Sequence, residues 1–283
     1  MLKSLHMIKD VLARHGFCFN KQFGQNFITD TNLLSAIVSD AGVAKTDTVI
    51  EIGAGAGTLT KVLSNSCKKV IAFEIDRNLK PVLDETLADT KNLELMFCDI
   101  MKMSIAEIEK IAGGKYKVVA NLPYYLTTPI IMNFVENAVN AESLTVMVQK
   151  EVAERLSAKN GGKDFGAITV AVQSVADVKT TRIVKRDMFL PAPNVDSAVV
   201  RIDFNKNKYD IKNKEYFRKT VKYAFSSRRK QLQNNISTFF NISKEKSMEL
   251  IEETGADKNA RAETLSVEQF VKLSNLLHEE ERR

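Results

Sequence analysis

Short β-rich runs alternate with amphipathic helices through the first two hundred residues, and that alternation confines the chain to an open sheet with helices packed on it. Leu33, Leu34, Ile37, Val38 and Ala41 form one helical face behind Asp30 and Thr31, which can cap it. Residues 48–52 then read as a buried strand, Leu59, Val62 and Leu63 as a helix face, and 70–75 as a second strand. A helix presenting Leu79, Val82, Leu83 and Leu87 follows, opened by Asp76 and tolerating Pro81 near its start. Segments 93–98, 116–120 and 144–149 supply three more strands. Apolar runs of this kind predict an α/β fold with a doubly wound parallel sheet covered on both faces. Residues 167–175 and 197–204 look like late strands closing the sheet edge, with 161–164 as a loop before them.

After Phe204 the chain turns Lys/Asn-rich and then helical. Ser243 can cap a helix bearing Met248, Leu250 and Ile251 that stops at Gly255. Ser266 and Gln269 form a capping box for a last helix presenting Phe270, Leu273 and Leu277. A length of 283 residues suits one large domain with a small one attached, here 1–205 and an all-helical 206–283.

No apolar run approaches the roughly 18 to 20 residues that span a bilayer. Lys3, His6, Lys9 and Asp10 interrupt the N-terminal apolar stretch, unlike a secretory signal. These features and the composition describe a soluble intracellular protein. Cys18, Cys67 and Cys98 are odd in number and widely spaced, so they read as reduced, mostly buried thiols and as neither a disulfide framework nor a metal site. His6, His15 and His278 show no ligand spacing, and no metal is expected.

Charge is distributed unevenly. Residues 206–230 hold ten basic side chains, Lys222, Arg228, Arg229 and Lys230 among them, against Asp210 and Glu215. That local excess of eight exceeds the +6 of the whole chain, so the rest is close to neutral. A basic segment on a near-neutral body is the footprint of a phosphate-backbone partner; a solvated helix face is the alternative. Tyr209, Tyr216, Phe217, Tyr223 and Phe225 are interleaved with the charges.

The first strand runs into Glu51-Ile52-Gly53-Ala54-Gly55-Ala56-Gly57. Glycines at this place let the backbone turn tightly and approach a ligand at the next helix N-terminus. The spacing is G-x-G-x-G, not the G-x-G-x-x-G of dinucleotide enzymes. Glu74 ends the second strand, 21 positions after Gly53, where an acid commonly holds ribose hydroxyls, and Asp99 ends the third. Together they suit an adenosine-containing ligand, with Glu74 on the ribose, Asp99 accepting from the adenine amine, and Ile75 and Ile100 flanking the ring. The competing reading is that Glu74 and Asp99 cap the helices that follow them.

Asn121-Leu122-Pro123-Tyr124 follows the 116–120 strand into a loop. The Asn121 side-chain oxygen and the Leu122 carbonyl can both accept from an exocyclic amine, Pro123 fixes the backbone, and Tyr124 offers a ring face. That set points to chemistry on the amino nitrogen of adenine. Taken alone, the four residues also fit a strand-ending turn with a core tyrosine.

Lys21-Gln22-Phe23-Gly24-Gln25-Asn26-Phe27, the glycine turn, Phe73-Glu74-Ile75-Asp76, Asp99 and Asn121-Leu122-Pro123-Tyr124 with Thr127-Thr128-Pro129 resemble the ribosomal RNA adenine-N6 dimethyltransferases that use S-adenosylmethionine. The resemblance continues in Gln149-Lys150-Glu151-Val152-Ala153 and 189–197. The motifs at 225–230 and 261–266 are similar to the small-subunit branch, the KsgA type. The resemblance implies a Rossmann-like methyltransferase sheet. It also implies a cofactor site built from Asn26, Ile28, Gly53, Gly55, Glu74, Ile75, Asp99, Ile100 and Asn121. Asn121, Leu122 and Tyr124 would hold the target base, Phe189 would close its other face, and Lys222, Arg228, Arg229 and Lys230 would meet RNA. The implied substrate is a pair of adjacent adenosines in a hairpin near the 3′ end of small-subunit RNA in an immature subunit, and the chain is expected to work in the cytoplasm as a monomer. Tyr125-Leu126 departs from the family, which often has a small polar residue and Ile there. Rival readings are a resistance-type methyltransferase of large-subunit RNA, a DNA adenine methyltransferase, a nicotinamide dehydrogenase, which leaves 121–124 unexplained, and an assembly factor acting by binding.

Overall fold

The computed structural model describes residues 2–20, 23–28, 30–227 and 230–282, with side chains from Ile8 onward. Among the described residues the strands are β1 (Phe27–Ile28), β2 (Thr48–Ile52), β3 (Lys69–Glu74), β4 (Leu93–Phe97), β5 (Tyr116–Asn121), β6 (Ala141–Gln149), β7 (Ala176–Val184), β8 (Phe189–Leu190) and β9 (Ser197–Phe204). The α-helices are α1 (Leu2–Arg14), α2 (Thr31–Asp40), α3 (Thr58–Ser64), α4 (Lys80–Thr86), α5 (Ile105–Ala112), α6 (Tyr124–Asn137), α7 (Lys150–Leu156), α8 (Ala167–Gln173), α9 (Lys214–Ala224), α10 (Leu232–Phe240), α11 (Lys244–Glu253) and α12 (Val267–Glu281).

Seven strands form one sheet in the order β4-β3-β2-β5-β6-β9-β7, and β1 pairs with β8 separately. Strands β4, β3, β2, β5 and β6 are mutually parallel where they pair, whereas β9 runs antiparallel to β6. The sheet is therefore mixed, not wholly parallel. From β2 the chain winds first toward β4 and later toward β7, which puts the topological switch point between β2 and β5. The central strands are apolar on both faces because both are covered: Val49, Ile50, Val70, Ile71, Ala72, Val118 and Val119 are all fully buried. Val49, Val70, Ala72 and Val119 share one cluster with Ile8, Leu12, Leu34, Ile37, Leu59 and Leu83 from the helices. On the same sheet, Tyr116 meets Phe134 of α6 edge to face at 6.5 Å.

Two sequence expectations fail here. Residues 167–175 are not a strand: α8 occupies Ala167–Gln173, with Thr169, Val170 and Val172 buried. Its β-branched residues favour a strand intrinsically, but packing decides, and Val170 joins the helical core with Tyr216, Phe217 and Phe270. Thr169 also donates to the Arg155 carbonyl at 2.7 Å and accepts from the Gly166 amide, anchoring the first turn. The strand forms one segment later, as β7, and β9 lies inside the sheet between β6 and β7 instead of closing its edge. The loop expected after β5 is only two residues long, Leu122 and Pro123, since β5 runs to Asn121 and α6 starts at Tyr124 with Pro123 as its cap residue.

Packing divides the chain into two units. One holds the residues up to Ala153 with Lys179–Phe204; the other holds Glu154–Val178 with the chain from Asn205 onward. The crossing at Asn205 falls where the composition changes, and 154–178 adds α8 to the helical unit. Ser243 caps α11, and Ser266 with Gln269 makes a reciprocal capping box on α12. Of the three free cysteines, Cys67 is buried, Cys98 half-buried and Cys18 exposed.

Candidate active site

Strand register levels the carboxyl ends of the sheet. Ile52 pairs with both Phe73 and Ala120, and Glu74 with Phe97, so Gly53, Glu74, Asp99 and Asn121 emerge along one edge at the switch point. A single cavity at this edge is lined by every residue expected in the cofactor and base sites: Asn26, Ile28, Gly53, Gly55, Glu74, Ile75, Asp99, Ile100, Asn121, Leu122, Tyr124 and Phe189. Lys222 and Lys230, expected at RNA, are exposed in the helical unit. Arg228 and Arg229 lie outside the described residues.

The glycine turn owes its shape to left-handed backbone. Gly55 has φ +56°, and a Cβ on it would stand 2.9 Å from the Phe27 ring; Gly57 has φ +80°, with Thr86 and Leu87 side chains at 2.9 and 3.0 Å. Both positions exclude a side chain twice over, by conformation and by space.

Glu74, 5% exposed, ties this turn to the second strand. Its Oε2 accepts from the Gly55 amide and its Oε1 from the Ile75 and Asp76 amides, each at 2.8 Å. A carboxylate offers about four acceptor positions, so one remains, on Oε2. Burial pushes the Glu74 pKa above its ordinary value, opposed by those three amides. Asp99 accepts from the Met101 amide at 3.0 Å and caps the short turn after β4, while Asp76, not Glu74, caps the turn after β3. Ile75 is 44% exposed at the cavity, an apolar edge available to a ring, whereas Ile100 is buried.

Asn121 ends β5, and its amide NH2 donates to the Asn26 carbonyl at 2.8 Å. The reverse orientation would set two acceptors against each other, so the side-chain oxygen is the atom left available. No donor among the described residues reaches the Leu122 carbonyl. The Tyr124 hydroxyl pairs with Ser197 of β9 at 2.7 Å; burial raises its pKa against that bond, so the ring is anchored at its tip as a neutral phenol. Phe189 arrives through a two-residue ladder, in which β8 pairs Phe189 with Ile28 and Leu190 with Phe27. That ladder brings the segment before the first large strand onto the cavity.

Two contributors escaped the sequence reading. Gln25 bridges the same segment to the turn after β3 by donating to Asp76 at 2.8 Å. Glu51 is the other. It sits between Ala72 and Val119 in the sheet, lines the cavity, is 0% exposed, and neither carboxylate oxygen has a hydrogen-bond partner among the described residues. Burial pushes its pKa up to about 8; nearby Thr60, itself buried without a partner, opposes this, and the Glu74 charge adds to it. At neutral pH Glu51 therefore carries a proton. Its signal in the sequence was its place in a strand otherwise apolar on that face.

Sheet order, glycine turn and strand-end acids together define a Rossmann-like methyltransferase. The model of the ribosomal RNA adenine dimethylase family matches residues 16–279. Among curated relatives, ribosomal RNA small subunit methyltransferase A of Clostridioides difficile (strain 630) is 44% identical over 280 residues, covering 98% of this chain and 97% of its own. The protein of the same name from Bacillus mycoides (strain KBAB4) is 42% identical over 276 residues, 95% and 94% of the two chains. Two solved structures share the fold. A dimethyladenosine transferase from Plasmodium falciparum has a TM-score of 0.77 at 24% identity, covering 90% of this chain and 98% of that one. The 23S rRNA methyltransferase ErmE has a TM-score of 0.71 at 23% identity, covering 89% and 100%. The chain belongs to the ribosomal RNA adenine dimethylase family, and it is a methyltransferase acting on adenine in ribosomal RNA.

Proposed function

We propose that the protein transfers methyl groups from S-adenosylmethionine to N6 of two adjacent adenosines in a hairpin near the 3′ end of small-subunit ribosomal RNA, working in the cytoplasm as a monomer on an immature subunit. The names of the 44% and 42% identical relatives favour the small subunit over the large one. Shared fold alone does not separate the two, since ErmE has it as well. No helix among the described residues is long and apolar enough to cross a membrane.

The cavity fits the cofactor in three respects. Gly53 leaves a space that a Cβ would fill, with the Asn121 carbonyl oxygen 3.8 Å away as its nearest neighbour, Glu74 keeps one acceptor for a ribose hydroxyl, and Glu51 is a buried polar group without a hydrogen-bond partner among the described residues. When bound, S-adenosylmethionine supplies a methyl group already activated on a sulfonium. Asn26, Ile28, Gly53, Gly55, Glu74, Ile75, Asp99, Ile100 and Asn121 would hold it.

The chain's own task is orientation. The adenine amine is a poor nucleophile because its lone pair is delocalised into the ring. Hydrogen bonds from that amine to the Asn121 oxygen and the Leu122 carbonyl favour the pyramidal nitrogen that attacks. Tyr124 stacks on the base and Phe189 closes its other face. The Tyr124 hydroxyl, held by Ser197, is no base, and none is needed, because the product ammonium is acidic and releases its proton to water. An adenine inside a helix cannot enter such a site, so the target is unpaired or flipped. The observation that carries this reading is the Asn121 amide, whose NH2 is committed to Asn26 while its oxygen is not.

The direct test incubates labelled S-adenosylmethionine with unmethylated small subunits and, separately, with large subunits, and maps modified nucleosides by mass spectrometry. Dimethyladenosine at neighbouring positions of small-subunit RNA is expected; label confined to large-subunit RNA would point to the resistance-type activity. An assembly role by binding alone would leave both RNAs unlabelled, and we hold that role as additional to catalysis.

RNA binding through the basic segment gives a second expected result. Charge reversal at Arg228 and Arg229 should weaken RNA binding and lower the slope of log affinity against log salt by about one for each phosphate that is no longer neutralised. Unchanged slopes would remove the segment from the interface.

A further inference from the structure

The helical unit carries an aromatic pair that its core does not absorb. Phe239, on the last turn of α10, lies over Tyr223 of α9 with ring centroids 4.4 Å apart and planes within 2° of parallel. Tyr223 is braced from below by Phe240, edge to face at 5.8 Å, and Phe240 packs on buried Tyr216 at 5.4 Å. A file of rings thus leads from the core to the surface. It ends at Phe239, which is 46% exposed. One face of that ring is covered by Tyr223, so a further stacking partner has the other face to take.

A lone exposed phenylalanine is ordinary on a protein surface. Three observations set this one apart. It is already coplanar with a second ring, the arrangement that aromatic pairs adopt in an offset stack and that a third flat ring can extend. Its support is fixed, because Asn235, one turn earlier on α10, donates to the Ala224 carbonyl at 2.9 Å and pins α10 to the end of α9. The flank is positive: Lys219 precedes Tyr223 by one turn, Lys222 precedes it by one residue, and both are exposed. Lys222 has no ion-pair partner among the described residues, and Lys219 meets only Glu215, at 3.3 Å.

We propose that the Phe239–Tyr223 stack is a docking ledge for one unpaired nucleobase of the RNA substrate, with Lys219 and Lys222 meeting the phosphates beside it. The proposal rests on the RNA-methylating function above and adds to it a second base-binding position, in the helical unit. Stacking on an aromatic shelf is tolerant of base identity, since every base has a π face, and the lysines add a contribution that depends on salt but not on sequence. A ring fixed before binding loses little freedom when a base settles on it, which is why a pre-stacked pair serves better than a free side chain.

The chain contains no tryptophan, so Phe239→Trp introduces a single tryptophan at the ledge, excited selectively at the red edge of the tyrosine absorption. Adding an RNA hairpin with an unpaired loop should quench its emission. Phe239→Ala should weaken binding of the same hairpin roughly 5- to 100-fold, the equivalent of about 1–3 kcal/mol for one stacked base, with the salt slope of the parent retained. Phe239→Leu keeps apolar bulk without a ring and should behave like the alanine variant, whereas Phe239→Tyr should restore affinity; equal melting temperatures exclude misfolding as the cause. Hairpin affinity within twofold of the parent for Phe239→Ala, together with unquenched tryptophan, overturns the ledge. So does weakened binding to whole small subunits but not to naked RNA, which would assign the surface to a protein partner. The parent's own methylation of small-subunit RNA, measured in the same preparations, tests the underlying function separately.

Discussion

Asn121→Ala is expected to lower the rate of methyl transfer at saturating RNA and cofactor by roughly 10²- to 10³-fold, the effect of removing one oriented hydrogen-bonding group at a reacting centre. Its amide makes one fixed bond, to the Asn26 carbonyl at 2.8 Å, and that bond determines which atom is left for the substrate. Alanine removes both the tether and the acceptor. The two losses separate experimentally: a slackened Asn26 segment weakens cofactor binding, whereas a missing acceptor acts on the amine once it is in place. Cofactor affinity measured by calorimetry should therefore change much less than the single-turnover rate. A single-turnover rate within a few-fold of the parent would remove Asn121 from the amine-holding role and leave it as a strut for residues 24–28.

Much of this site was legible because a parallel strand covered on both faces must be apolar until it reaches the sheet edge. Gly53, Glu74, Asp99 and Asn121 each follow or end such a run, and the register places Gly53, Glu74 and Asn121 at one level with Asp99 two residues beyond it. Where the structure depends on pairing between distant segments, local pattern carried no signal. The β1–β8 ladder is two residues long, too short for any periodicity, yet it brings Ile28 and Phe189 together across 161 positions. Asn26 and Phe189 could be placed only by resemblance to a family. The misreading of 167–175 has the opposite origin: the pattern was strong, with Ile168, Thr169, Val170 and Val172 in seven residues, but the segment buries Thr169, Val170 and Val172 as a helix, with Val170 in the core of a helical unit. Intrinsic strand preference is worth about 1 kcal/mol or less per residue, and burying Val170 and Val172 in a helix outweighs it.

Glu51 gives the second large effect. Glu51→Gln should remove a large decline in the stability of the ligand-free protein between about pH 4.5 and about pH 8. Burial raises the folded-state pKa to about 8 from an ordinary 4.5, so below pH 4.5 both the folded and the unfolded chain hold the proton. Between the two values the unfolded chain ionises while the folded one does not, and stability falls as pH rises. Above about 8 both are ionised and the decline levels off. At about 1.36 kcal/mol per pH unit, the whole interval is on the order of 5 kcal/mol. Glutamine has nearly the same shape and cannot ionise. Its buried NH2 also lacks a fixed partner, but that penalty does not change with pH. The informative quantity is thus the difference between the urea stabilities of variant and parent, followed from pH 5 to pH 8. It should shift steadily in favour of the variant, by several kcal/mol overall. A difference that stays flat across that range would mean that Glu51 is already ionised in the folded protein, and that the sheet face between Ala72 and Val119 supplies the carboxylate with partners enough to keep it so.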